Sequence, residues 1–303
     1  MLTTEQMIPA FQQPHASRRG GPRWWLTLIL FGYMGMYWSI GAPSWGEAFR
    51  ISVSSLVTLG YDSPNAIPKT ILMYSEAMIG LIMVALLIAY LPTMYSAFSR
   101  RETAVTLLEV RAGAPPSAIE LIARYHRLKR FDELHTLWAQ WEVWFAEIEE
   151  THTSLAALVF FRSPQPDHSW VTASGAVLDA AALVNAIVDT PHDVQADLCI
   201  RAGYLALQRI ADFFNIKYNP KPKADDPISI SRDEFDRECD QLAQRGVPLK
   251  VDRGQAWRDF AGWHVNYDTV LLALADLLNA PDAPWSSDRA VWRERPWFRG
   301  SLK

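Results

Sequence analysis

From Ala77 to Ser99 the chain runs 23 residues without a charge. Within it, Ile79-Gly80-Leu81-Ile82-Met83-Val84-Ala85-Leu86-Leu87-Ile88-Ala89-Tyr90-Leu91 has no polar face. A surface helix of a soluble domain keeps such a face. With Thr70 to Glu76 in front, the run makes a helix of up to 30 residues, long enough to cross a bilayer and project beyond it. This segment reads as a membrane span, and it limits what the rest of the chain can be.

A second uncharged run, again 23 residues, extends from Trp24 to Gly46. Its apolar part ends near Ile40. Trp24 and Trp25 stand at one end, Tyr37 and Trp38 at the other, as aromatic residues do at membrane interfaces. Arg18, Arg19 and Arg23 ahead of it could form the basic start of a signal peptide. The long preceding tail and Pro43 after Ala42 argue against cleavage. Charge is concentrated elsewhere. Of 29 Lys/Arg and 33 Asp/Glu in 303 residues, only five and four fall in the first 99. A net charge of −4 excludes a broadly basic nucleic-acid binder, and Cys199 and Cys239 alone cannot build a disulfide framework or a CxxC zinc site.

Arginines cluster on one side of the two runs, Arg18, Arg19 and Arg23 before the first and Arg100 and Arg101 after the second, whereas the connector holds only Arg50 and Lys69. The positive-inside rule then places both termini in the cytoplasm and the connector outside, in a multi-pass protein of the inner (plasma) membrane. The connector is too apolar for a solvated loop, with Trp45, Ala48, Phe49, Ile51, Val53, Leu56, Val57 and Leu59. Glu47 to Leu56 can form a short helix with Ser44 as its N-cap. The connector closes on Thr58-Leu59-Gly60-Tyr61-Asp62, ahead of Ser63-Pro64. An apolar half-helix followed by such a loop between two spans is a re-entrant arrangement. At membrane depth it is tolerated where the loop lines a water-filled cavity.

Trp45 to Glu102 resembles the pore module of the potassium-channel superfamily in its two-transmembrane bacterial form. Thr58-Leu59-Gly60-Tyr61 matches the first four residues of the filter signature T-V-G-Y-G. The resemblance implies a pore helix aimed at a central cavity, and carbonyls of Thr58, Leu59, Gly60 and Tyr61 replacing the hydration shell of a potassium ion. It implies gating positions at Gly80, near the inner-helix hinge glycine, and at Pro92, near the cytoplasmic end. It also implies a homotetramer. The sequence departs from the signature at the fifth position, where Asp62 replaces the second glycine, so weakened selectivity is expected. Glu76, the one charge inside the second span, reaches the interface or bonds to the back of the pore helix.

Beyond Arg101 the pattern is helical, with helices expected at 102–111, 116–128, 131–158, 169–188, 192–214, 231–244 and 254–278. Leu134, Trp138, Trp141, Phe145, Ile148, His152 and Leu155 alternate in steps of four and three, a heptad seam read first as the tail's own core. Glu149-Glu150-Thr151-His152 holds a single Glu-x-x-His, short of what a di-iron bundle needs. His264 and Asp268 share a helix face. No HExxH, GxSxG, GxxxxGK[ST] or GxGxxG occurs. The aromatic-basic end (Trp292, Arg293, Arg295, Trp297, Arg299) could dock to the inner leaflet.

The expectation is therefore an all-α membrane protein. A disordered tail (1–22) precedes a pore module (23–99) with spans at 24–42 and 70–99 and a re-entrant pore helix and filter at 45–62. A helical cytoplasmic domain (100–303) follows. Its expected work is passive cation conduction, potassium first, with permeant monovalent cations and no resident cofactor or metal. Membrane lipid is the expected partner, nucleic acid is not, and no enzymatic site is assembled. The alternative is a non-conducting, membrane-anchored sensor or docking protein on a pore-like anchor.

Overall fold

The computed structural model describes residues 22–60 and 66–289. Tyr61, Asp62, the N-terminal tail up to residue 21 and the aromatic-basic end lie outside the described residues. Among those described, secondary structure is helical, apart from an isolated bridge between Val188 and Leu249. The helices are α1 (Pro22–Ser39), α2 (Trp45–Leu56), α3 (Ile67–Ala112), α4 (Ala118–Arg127), α5 (Leu134–Ser154), α6 (Trp170–Ile187), α7 (Val194–Phe213), α8 (Arg232–Gln244), α9 (Arg253–His264) and α10 (Asp268–Leu278). The chain forms two compact units that part between Ser96 and Ala97.

Two helices, α3 and α6, are long and apolar enough to cross a membrane. Their surroundings differ completely. The most apolar window of α3 is 11% buried, whereas that of α6 is 100% buried. The apolar surface of α6 is thus satisfied by protein, and α6 is the core helix of the second unit. The apolar surface of α3 is open, with Ile71, Met78, Leu81, Leu86, Ile88 and Leu91 all well exposed. A helix apolar all round and uncovered by its own chain calls for lipid or other copies around it. In the first unit, α1 packs on α2 around Tyr37, Ala42, Ala48 and Ile51.

Helix α2 starts as its sequence requires. The Ser44 hydroxyl accepts the Glu47 N–H at 3.2 Å, capping the first turn. α3 departs from expectation. The span and the following helix are one continuous 46-residue helix, about 70 Å long. It passes through Pro92 and through Arg100-Arg101, and it ends where Gly113 takes a left-handed conformation (φ +83°).

In the second unit α6 packs against α4, α7, α9 and α10, and α5 lies along α7. The heptad seam belongs to this core: Leu134, Trp138, Trp141, Phe145, Ile148 and His152 are all buried, as are Leu137 and Trp144. Two expected helices are each broken. The one at 131–158 begins and ends in short 3-10 turns (Phe131–Glu133, Ala156–Phe160), because Leu155 leaves the helical region at φ −120°, ψ +60°. The one at 254–278 is α9 and α10. There the Asn266 side chain donates to the carbonyls of Gly262 and Trp263, 3.0 Å each, supplying bonds that a continuing backbone would otherwise provide.

Candidate functional site

The first unit concentrates its polar groups at one place. Glu76 of α3 is fully buried. Ser52 of α2 donates to Glu76 Oε1 at 2.5 Å, and Tyr37 of α1 donates to Oε2 at 3.1 Å. One carboxylate thereby ties together all three helices. An unpaired acid here would be costly, and the two hydroxyls satisfy both of its oxygens. A second bridge, Tyr33 Oη to Ser75 Oγ at 3.0 Å, joins α1 and α3 beside it. At the other end of the unit, Trp38 stacks on Trp45 and Lys69 Nζ donates to the Gly41 carbonyl at 3.0 Å.

One turn further along α3, Gly80 meets the end of α2. A Cβ at Gly80 would lie 2.0 Å from the Leu56 carbonyl oxygen. Only glycine permits this approach, so Gly80 is a contact position whatever else it does. Glu76 and Gly80 together hold α2 against α3.

The stop itself is a complete double-bonded cap. Thr58 N–H bonds to Ser55 O at 2.9 Å and Leu59 N–H to Ser54 O at 2.8 Å. These are the two bonds of a Schellman motif, with Thr58 at the position that glycine usually fills. Thr58 sits at φ +57° and Gly60 at φ +69°. A β-branched residue in the left-handed region is strained by roughly 1–2 kcal/mol. Thr58, Leu59 and Gly60 are exposed beyond the C-terminal, partially negative end of α2.

No protein-family model, curated protein or solved structure matches this chain.

Of the residues singled out from sequence, the fold brings Glu76 against Ser52 and Gly80 against Leu56 of α2, the helix that runs into Thr58, Leu59 and Gly60. Tyr61 and Asp62 lie outside the described residues. Pro92 is farther along the same unbroken α3. Of the partners of Glu76, Tyr37 reads from sequence as an interfacial aromatic, though it is fully buried here, and Ser52 is not singled out. The signal available was a serine inside an apolar segment, which at membrane depth needs a partner.

The tail candidates are otherwise engaged. Among the described residues no group of three or more His, Cys, Asp or Glu side chains could hold a metal ion. Glu149 pairs with Arg209. His152 is buried beside the Arg101 guanidinium, 3.3 Å from Nη1. Burial, then that charge, lower its pKa to about 3, so it stays neutral. Arg101, itself buried, donates to the carbonyls of Leu158 (2.8 Å) and Phe161 (2.6 Å) and pairs with Glu102 at 2.8 Å. His264 lies between two carboxylates, Nδ1 at 2.8 Å from Asp179 and Nε2 at 3.1 Å from Asp268. Burial alone would lower its pKa, but the two carboxylates outweigh that and raise it to about 9. With an acceptor at each ring nitrogen, the imidazole is held as the cation.

Proposed function

We propose that this chain is one subunit of a passive cation channel, potassium-conducting with weakened selectivity, in which several copies, four by the resemblance to potassium-channel pores, surround one ion path. The observation that carries the reading is the end of α2. A short helix between two apolar helices is locked from behind by Glu76 and Gly80, and Thr58-Leu59-Gly60 emerges from its partially negative end, with positive φ at Thr58 and Gly60. A glycine and a strained threonine in that position allow carbonyls to be turned toward an axis. One re-entrant segment cannot enclose a path, and the apolar surface left open on α3 supports assembly in a membrane. In this reading Tyr61 continues the filter and Asp62 forms an acidic ring at the outer mouth. Both termini are cytoplasmic.

The test is ion flux from liposomes loaded with potassium and carrying the purified protein, alongside its subunit count by native mass spectrometry in mild detergent. Potassium efflux from a four-copy assembly is expected. A monomer, or liposomes as tight as empty ones, favours the non-conducting anchor instead.

A further inference from the structure

The second unit contains a cavity of about 180 Å³, walled by the start of α4 (Ser117, Glu120), by α6 (Asp179), by α8 and the residue after it (Glu238, Arg245) and by Trp285. At about 30 Å³ per water molecule, it has room for a ligand of roughly six non-hydrogen atoms.

Asp179 is 2% exposed, yet it lines this cavity. Both of its side-chain hydrogen bonds, from Tyr267 Oη at 2.7 Å and His264 Nδ1 at 2.8 Å, end on Oδ1. Oδ2 takes no hydrogen bond among the described residues, which leaves it free to accept one from an occupant of the cavity that Asp179 lines. The charge behind it does not balance: two carboxylates, Asp179 and Asp268, share a single imidazolium, His264. Buried charge of this kind is normally matched. Glu238, from α8, adds a second carboxyl to the lining; burial raises its pKa above the ordinary value, although the Gln241 side chain, Arg237 and Arg245 pull the other way. An occupant with positive charge would oppose that rise. Trp285 supplies an aromatic wall and is held in the left-handed region, φ +58°, where a bulky residue is rare. Arg245, near enough to Glu238 to act on its charge, is anchored through Glu120, which also pairs with Arg124, 2.7 Å each.

We infer that this cavity binds a small organic ammonium compound, its nitrogen donating to Asp179 Oδ2 and Glu238 against Trp285. Two sources share that chemistry. A simple alkylamine would use the acidic wall alone. A free amino acid of about the size of alanine would also set its carboxylate toward Arg245. The site stands whether or not the first unit conducts, and it would make the second unit a ligand sensor.

Isothermal titration calorimetry on the full chain in detergent tests this, with ethylammonium, L-alanine, acetate, potassium and magnesium as separate titrants. Saturable binding of ethylammonium or L-alanine is expected, weakened at least tenfold in Glu238→Gln, a partly exposed position whose folding is checked by circular dichroism. Asp179→Asn should abolish binding where it folds. Alanine binding that Arg245→Gln weakens, with ethylammonium binding unaffected, identifies the amino-acid source; equal affinities identify the amine. Binding of acetate, potassium or magnesium alone, no saturable heat from either ammonium titrant, or undiminished affinity in Glu238→Gln overturns the inference.

Discussion

Gly80→Ala sets two effects of opposite sign against each other. In a helix interior, alanine is favoured over glycine by about 0.8–1.0 kcal/mol. The added methyl, however, would sit 2.0 Å from the Leu56 carbonyl oxygen and 2.9 Å from its carbon. A carbon and a carbonyl oxygen rest at roughly 3.3 Å or more, so one helix must move by about 1.3 Å. Overpacking of that kind costs about 1–3 kcal/mol, leaving a net destabilisation of roughly 0–2 kcal/mol. The shift falls on the end of α2, where the Thr58 and Leu59 amides bond back to Ser55 and Ser54. Hydrogen–deuterium exchange on the detergent-solubilised protein reads this directly. The amides of Val57 to Leu59 should exchange several-fold faster in the variant, while α5 to α7 of the second unit are unchanged. If Gly80 is a free hinge instead, alanine should stiffen α3, raise the thermal midpoint and leave α2 exchange as it was. That result would refute the contact argument.

Three further outcomes follow from named groups. His264, raised from 6.5 to about 9, contributes roughly 3 kcal/mol that is complete below pH 6.5 and lost as pH rises through 9. His152, lowered to about 3, acts oppositely, because below pH 6.5 the unfolded chain takes up a proton that the fold excludes. Chemical denaturation of the second unit should therefore show stability falling on both sides of about pH 6.5, with the alkaline loss absent in His264→Gln; a flat profile from pH 6.5 to 9 contradicts this. Arg101→Met should cost about 3–5 kcal/mol in thermal unfolding, since it removes a buried guanidinium that donates to the Leu158 and Phe161 carbonyls and leaves Glu102 without its cation, and a near-neutral midpoint would mean water replaces the guanidinium. Thr58→Gly should stabilise the end of α2 by about 1 kcal/mol through relief of its φ of +57° while lowering ion flux; unchanged flux removes Thr58 from the ion path.

What could be read from the sequence was set by local pattern. Ser44 caps α2 because a serine before an amphipathic turn does so regardless of context. The seam from Leu134 to His152 announced its burial by spacing alone. Junctions were less legible. Nothing between Ser99 and Gly113 breaks a helix, so two expected helices are one, and the break after His264 depends on Asn266 turning back on Gly262 and Trp263. Glu76 stood out as a lone charge, but its donors, 24 and 39 residues earlier, carried no spacing signal. The second-unit cavity was invisible for the same reason, as its walls come from Ser117, Asp179, Glu238 and Trp285, which only the fold brings together.

The central claim is that Thr58, Leu59 and Gly60, continued by Tyr61 and Asp62, line a cation path. Recording from purified protein in a planar bilayer, with potassium on one side and sodium on the other, tests it most directly. The account predicts discrete cation currents with a reversal potential displaced modestly toward potassium, block by external divalent cations that Asp62→Asn relieves, and sharper potassium preference in Asp62→Gly. Silent bilayers at protein densities confirmed by labelling, or currents identical in wild type and both Asp62 variants, would contradict it.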